Sequence, residues 1–338
     1  MSRGGLCLVE HGPGGRPARF AGAREVVVAR TPADVAPALA RLDAARAEGA
    51  WVAGWIAYEA GAAFEPRLAE VWRGEGLLLG FGVFPDGPRE GEFGTGGEAV
   101  LSSPEPLISR VAYDGAIGRV LAYIAAGDCY QVNLTFPLEA RLSGDPLNLF
   151  LRLREARPVG HASFVDLGVG PAVVSLSPEL FLRVSGRRIE TRPMKGTAPR
   201  DADPERDAGL AAELRASEKA RAENLMIVDL LRNDLSRVAR AGSVRVPELF
   251  AIEPYATVHQ MTSTVMGELD GPSSLSRLMP ALFPCGSVTG APKIRAMQII
   301  RELEPHPRGV YCGSVGWMAP DGDCDFSVAI RTLSVEGD

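Results

Sequence analysis

Apolar and polar positions along this chain alternate with two different periods, and the period names the element. Residues 26–29, 51–58 and 77–84 are short, densely apolar runs that read as strands. Between the first two, Thr31-Pro32 supplies an N-cap and a first helical residue for a helix expected over 33–48. Tyr113, Ile117, Leu121 and Ile124 recur at spacings of three and four, which predicts a helix ending near Gly127. Tyr130, Val132, Leu134, Phe136 and Leu138 then alternate with Gln131, Asn133 and Thr135, a strand with one amide-rich face. Residues 173–184 alternate again, Val174, Leu176, Leu180 and Leu182 against Ser175, Ser177, Glu179 and Phe181. Pro178 has no N–H for a ladder, so it marks an edge or bulge beside Glu179.

Further along, 207–235 reads as one long helix with Glu223 four residues after Lys219, and 291–303 as an amphipathic helix with Pro292 in its first turn. Residues 311–318 and 324–335 flank Asp321-Gly322, a hairpin signal. With those two residues as the loop, 323 pairs with 320, and counting outward sets Arg331 opposite Cys312, beside Tyr311 and Gly313. Residues 85–106 are rich in Gly, Pro, Ser and Glu without periodicity and read as a surface linker. The chain then divides into an N-terminal region 1–84, the linker 85–106 and a larger unit 107–338.

Composition narrows the class. A length of 338 residues suits two domains or one large one, and 46% hydrophobic with 23% charged residues is the balance of a folded globular chain. A net charge of −6 gives no global basic field, so neither nucleic acid nor a membrane surface is an expected partner. Five cysteines without a C-x-x-C pair, an N-terminus without an apolar signal core and no membrane-length apolar run together predict a cytoplasmic protein with reduced thiols. The basic residues are 33 Arg and only three Lys, Lys195, Lys219 and Lys293. Arg does not deprotonate to a nucleophilic amine and Lys does, so a surviving lysine is a candidate for chemistry. Chance survival is the alternative, and is preferred for Lys219.

Five places carry candidate chemistry, each with an ordinary structural alternative. Lys195 lies between Pro193 and Pro199 with Gly196 beside it, a stiff loop that fixes where the ammonium points; a solvated turn lysine is the alternative. Ser287, Thr289 and Lys293 precede or open a helix whose free N–H groups suit a carboxylate or phosphate, or are plain caps. Arg331 shares a strand face with the small Ser327 and Ala329, which leaves room for a bidentate anion. Glu223 suits a hard cation such as Mg²⁺, or forms a salt bridge with Lys219. His259 is an acid or a satisfied core residue.

Taken in order, Gly127-Asp-Cys-Tyr-Gln-Val-Asn-Leu, Ser177-Pro-Glu-Leu-Phe, Pro193-Met-Lys-Gly-Thr, Glu223-Asn-Leu-Met-Ile-Val-Asp-Leu-Leu-Arg-Asn-Asp-Leu, residues 283–293 and Tyr311-Cys-Gly-Ser-Val-Gly resemble the chorismate-utilising enzymes over about 113–333. Within that family Lys195 resembles the aminodeoxychorismate synthase component I branch, since anthranilate synthases typically carry Ala in this loop. The resemblance implies an α+β fold of antiparallel sheets packed face to face with helices outside. It implies conversion of chorismate and ammonia to 4-amino-4-deoxychorismate, for 4-aminobenzoate and folate synthesis, with ammonia from a separate glutamine amidotransferase subunit. In that scheme Lys195 attacks C2, Glu179 is the acid/base and His259 stands near the ring. Gly196, Thr197, Ser287, Thr289, Tyr311, Gly313 and Arg331 position the substrate, and Glu223 holds Mg²⁺ in part. The family continues past Arg331 with a glycine-rich strand and a helix bearing further glutamates, both missing from this sequence. That departure predicts weak Mg²⁺ and chorismate binding, slow turnover and an exposed sheet edge. The alternatives are an anthranilate synthase component I and a truncated, inactive chorismate-binding protein.

Overall fold

Strands that are apolar on both faces must be covered from both sides, and four layers do so here. The structure, a computed structural model, describes residues 5–74 and 76–337; residues 1–4 of the N-terminus read above lie outside them. Seven α-helices are described: α1 (Pro32–Ala47), α2 (Arg110–Ala125), α3 (Pro146–Ala156), α4 (Pro204–Ala216), α5 (Glu218–Ser236), α6 (Leu275–Leu282) and α7 (Lys293–Leu303). A six-stranded antiparallel sheet runs Thr332–Val335, Ala172–Ser177, His161–Asp166, Leu6–Val9, Ala18–Ala21, Arg89–Glu90. A ten-stranded antiparallel sheet is centred on Leu180–Ser185, Cys324–Val328 and Ser314–Met318. At one end it carries Val258–Glu268 between Arg188–Arg192 and Met194–Pro199, with Arg245–Pro254 also pairing to it.

Alternation fixes which side chains enter which layer. Cys7 and Val9 pack with Phe20, Val165, Trp55, Val315 and Trp317 between the two sheets. Leu6 and Leu8, on the opposite face, pack with Phe150 and Leu151 of α3. The far face of the large sheet is covered by α1, α5, α6 and α7 through Leu39, Leu42, Ile227, Leu231, Leu278 and Ile300. Each such side chain stabilises the fold by roughly 1.5–3 kcal/mol on burial. The expected α+β arrangement, sheets face to face with helices outside, is the observed one. The N-terminal runs form strands Glu25–Ala29, Trp51–Ile56 and Leu79–Phe84 of the large sheet, joined to Ser314–Met318 through Trp51–Ile56. Segment 85–106 follows the surface and pairs at three short strands.

Four local expectations need correction. The alternating run 130–138 is not a continuous strand: only Gln131–Val132 and Leu138–Glu139 pair. In between, Thr135 N donates to the Glu304 carboxylate and Asn133 O accepts from Arg308, so side chains take the place of a neighbouring strand. The helix over 207–235 is two, because Ser217 (ψ 112°) leaves the helical region and its Oγ caps α5 at Ala220 N. In α2 the buried residues are Ala116 and Val120, the latter packing with the half-buried Tyr123 against Ile299 and Leu303 of α7, and Leu121 faces outward. The hairpin is shifted by one residue. Met318 pairs with Cys324 around a three-residue loop, Pro320, Asp321 and Gly322 (φ 103°), so Cys312 N bonds Ala329 O and does not face Arg331.

Candidate functional site

Glu179 sits where the chain passes from one sheet to the other. Ser177 ends a strand of the small sheet and Leu180 begins one of the large sheet, with Pro178 and Glu179 between, as the missing Pro178 donor requires. Ser177 Oγ donates to Val328 O at 2.6 Å and accepts from Glu179 N at 3.1 Å, while Val328 N donates to Glu179 O at 3.0 Å. The carboxyl is 3% exposed, and Oε1 has no hydrogen-bond partner among the described residues. Burial raises its pKa above the usual carboxylate range; the Ser287 hydroxyl, the Lys195 ammonium and the Met194 N–H act in the opposite direction.

Those opposing groups come from two separated stretches of the chain, 194–195 and the turn holding Ser287. Lys195 lies in the Met194–Pro199 strand at a bulge, half-buried, its carbonyl accepting from Asn224 Nδ2 at 3.3 Å. Next to it Gly196 has φ 102°, and a Cβ there would stand 3.1 Å from Ala220 Cβ and 3.2 Å from Met261 Cβ. Only glycine lets this strand approach α5 so closely. Asn224 also donates to Met261 O and accepts from Ser263 Oγ at 2.6 Å, tying α5 to two strands. Sequence reasoning did not single out Asn224, although its place directly after Glu223 was the available signal.

The other expected residues divide. Ser287 is buried beside Cys285 and Glu179, whereas Thr289 spends its hydroxyl proton on the carbonyls of its own turn, Gly286 O at 3.1 Å and Cys285 O at 3.3 Å. Lys293 is not free for an anion, because it donates to Asp234 Oδ2 at 2.6 Å and Leu282 O at 3.1 Å in a buried pair. His259 is buried with Nε2 2.9 Å from Asp207 Oδ1. Thr197 is exposed and donates to Gln260 Oε1 at 3.0 Å. Tyr311 is half-buried, its phenol pKa raised by burial. Gly313 admits no side chain, since a Cβ would lie 2.0 Å from Ile56 O. Arg331 has φ 51°, is exposed and lies within electrostatic reach of Tyr255. Its strand has ended: Leu176 N bonds Arg331 O, and the chain crosses there into the small sheet.

Glu223 is a half-exposed carboxylate with Lys219 Nζ 4.0 Å away. Among the described residues no group of three or more His, Cys, Asp and Glu side chains is placed to hold a metal. A single open carboxylate fits the habit of Mg²⁺, which takes one or two protein carboxylates and completes its shell with water and substrate oxygens. All five cysteines are free and buried, and among the described residues no helix is long and apolar enough to cross a membrane.

Residues 92–338 match the family model for chorismate binding enzyme. The chain belongs to this family. It is 49% identical over 227 residues to aminodeoxychorismate synthase component 1 of Escherichia coli K12, covering 67% of this chain and 50% of that protein. It is 48% identical over 228 residues to anthranilate synthase component 1 of Thermus thermophilus, covering 67% and 49%. This chain of the chorismate-binding family thus spans about half the length of the curated relatives it matches. An anthranilate synthase component I from Streptococcus pneumoniae superposes with TM-score 0.75 at 24% identity, over 97% of this chain and 82% of that one. A menaquinone-specific isochorismate synthase from Escherichia coli does so with TM-score 0.71 at 16% identity, over 100% and 81%. These two likenesses establish the shared fold.

Proposed function

We propose that this chorismate-binding enzyme acts as an aminodeoxychorismate synthase component I, forming 4-amino-4-deoxychorismate from chorismate and ammonia. The observation that carries the reading is the Lys195 ammonium beside the buried Glu179 carboxyl, in a bulged strand whose backbone is fixed by Asn224 and Gly196. Relatives named for this activity and for anthranilate synthesis are about equally similar, so overall identity does not separate the two readings. A lysine at position 195 favours the first.

In the proposed reaction the Lys195 amine bonds to C2 of the ring as both ring double bonds shift and the C4–oxygen bond breaks. Glu179, which burial favours in its protonated form, gives its proton to the departing hydroxyl, so water leaves. Ammonia then bonds to C4, the double bonds shift back, the C2–nitrogen bond breaks to return the free lysine, and the new C4 ammonium gives a proton back to the Glu179 carboxylate. Splitting one poor displacement into two is the gain of the covalent step. Glu223 would contribute one carboxylate to a Mg²⁺ ion, whose charge would screen a substrate carboxylate. Ammonia would come from a separate glutamine amidotransferase subunit, and the setting would be the cytoplasm. Incubation with chorismate, Mg²⁺ and ammonium, followed by chromatographic identification of the product, tests the reading. Aminodeoxychorismate supports it, and anthranilate as the sole product overturns it.

A further inference from the structure

His259 is held from one side only. Its Nε2 lies 2.9 Å from Asp207 Oδ1, while Nδ1 is buried without a hydrogen-bond partner among the described residues. Asp207, in the first turn of α4, is itself fixed: Oδ1 accepts from Arg200 Nε at 2.8 Å and from Asp201 N at 3.0 Å. Arg200 Nη1 in turn donates to Tyr255 O at 2.8 Å, anchoring the pair to the turn between Arg245–Pro254 and Val258–Glu268. With Arg200 as the main cause, these donors hold the Asp207 carboxyl well below the usual range.

An ionised carboxylate can only accept, so the proton it shares with the ring belongs to His259 Nε2. In a neutral imidazole the other nitrogen then carries a bare lone pair. A buried acceptor with nothing to bond destabilises the fold, and a ring serving only the core would be better replaced by an apolar side chain. The position is also close to the site. Ala198, three residues after Lys195, pairs with His259, and α5, whose Asn224 bonds Lys195 O, also bonds Met261 O two residues beyond the histidine on the same face.

We propose that Asp207 is a positioning residue that fixes His259 in its Nε2-protonated tautomer and so keeps Nδ1 free to accept a hydrogen bond or proton from the bound substrate. The substrate rests on the function proposed above; the tautomer is a property of the free protein. Long-range proton–nitrogen spectra of uniformly ¹⁵N-labelled protein at about neutral pH report it directly, the His259 signals being assigned by their loss in His259→Gln. An Nε2-protonated, Nδ1-unprotonated ring is the expected result. A ring protonated at Nδ1, or at both nitrogens, overturns the proposal, and this arm needs no Asp207 variant to fold. In Asp207→Asn, kcat should fall roughly 10- to 100-fold with KM for chorismate within about 2-fold, and Asp207→Glu should restore part of it. An unchanged tautomer together with unchanged kcat in Asp207→Asn overturns it equally. A wild-type enzyme that forms no aminodeoxychorismate removes the proposed function, and the spectra then still decide whether Asp207 sets the tautomer.

Discussion

Lys195 and Glu179 are sixteen positions apart in sequence and meet because a sheet-to-sheet crossing buries one beside a bulged strand that carries the other. If Lys195 is the nucleophile, Lys195→Ala should lower aminodeoxychorismate formation at least about 100-fold, and Lys195→Arg should not restore it although the charge remains. Full activity of the arginine variant, measured by product chromatography, would remove the covalent step. Glu179 gives a second prediction through its raised pKa. The native state keeps this proton over a pH range in which the unfolded chain has released it, so the group costs stability as pH climbs through that range. Glu179→Gln carries no such titration. Its Tm relative to the parent should therefore be higher at about pH 8 than at about pH 4, while turnover falls. A Tm difference that does not change with pH would show that Glu179 titrates as an exposed carboxyl does.

At the scale of elements, the break at Ser217 decides how the site is covered. A single helix over 207–235 would carry α4 straight on from α5; the turn instead folds it back, so that Leu214 meets Ala220 and Met261 and Asp207 reaches His259. Ser217 Oγ caps α5 at 3.3 Å from Ala220 N, and Ser217→Ala should cost about 1 kcal/mol in urea unfolding. An undiminished stability would mean that packing alone sets the break. The hairpin teaches a related point: Asp321-Gly322 did mark the turn, but Pro320 joins the loop, and the one-residue difference detaches Arg331 from Cys312.

Across the whole molecule, the two sheets are joined by polar groups as well as by the apolar layer. Asp325 of the large sheet meets His161 of the small sheet at 3.1 Å, His11 at 3.2 Å and Arg183 at 2.7 Å. Burial alone would raise the Asp325 pKa, but His161, His11 and Arg183 together hold it well below the usual range. A depressed carboxylate pKa stabilises the fold above about pH 4 and loses that contribution as acidity increases. Asp325→Asn should thus cost roughly 3 kcal/mol at neutral pH, with the difference shrinking in acid. Denaturant titrations of both proteins at two pH values measure this, and a pH-independent difference would place its origin in packing.

Sequence periodicity was enough for elements whose own side chains decide them. The strands near 26–29, 51–58 and 77–84, the helix opened by Thr31-Pro32 and the interruption at Pro178 all follow from local sterics and local hydrogen bonding. The ordered motifs around Lys195, Glu179 and Glu223 likewise pointed to the chorismate-binding family from residue identity alone. Tertiary structure decided what depends on a distant partner. The run at 130–138 alternates as a strand does, yet Glu304 and Arg308, far along the chain, take its backbone groups. Lys293 looked free beside a helix start and is claimed by Asp234, fifty-nine positions away. Asp207, Asn224 and the His11–His161–Asp325 cluster carry no sequence pattern of their own. Their partners come from other elements, and only the folded chain brings a charge, a lone pair and a donor within hydrogen-bond distance.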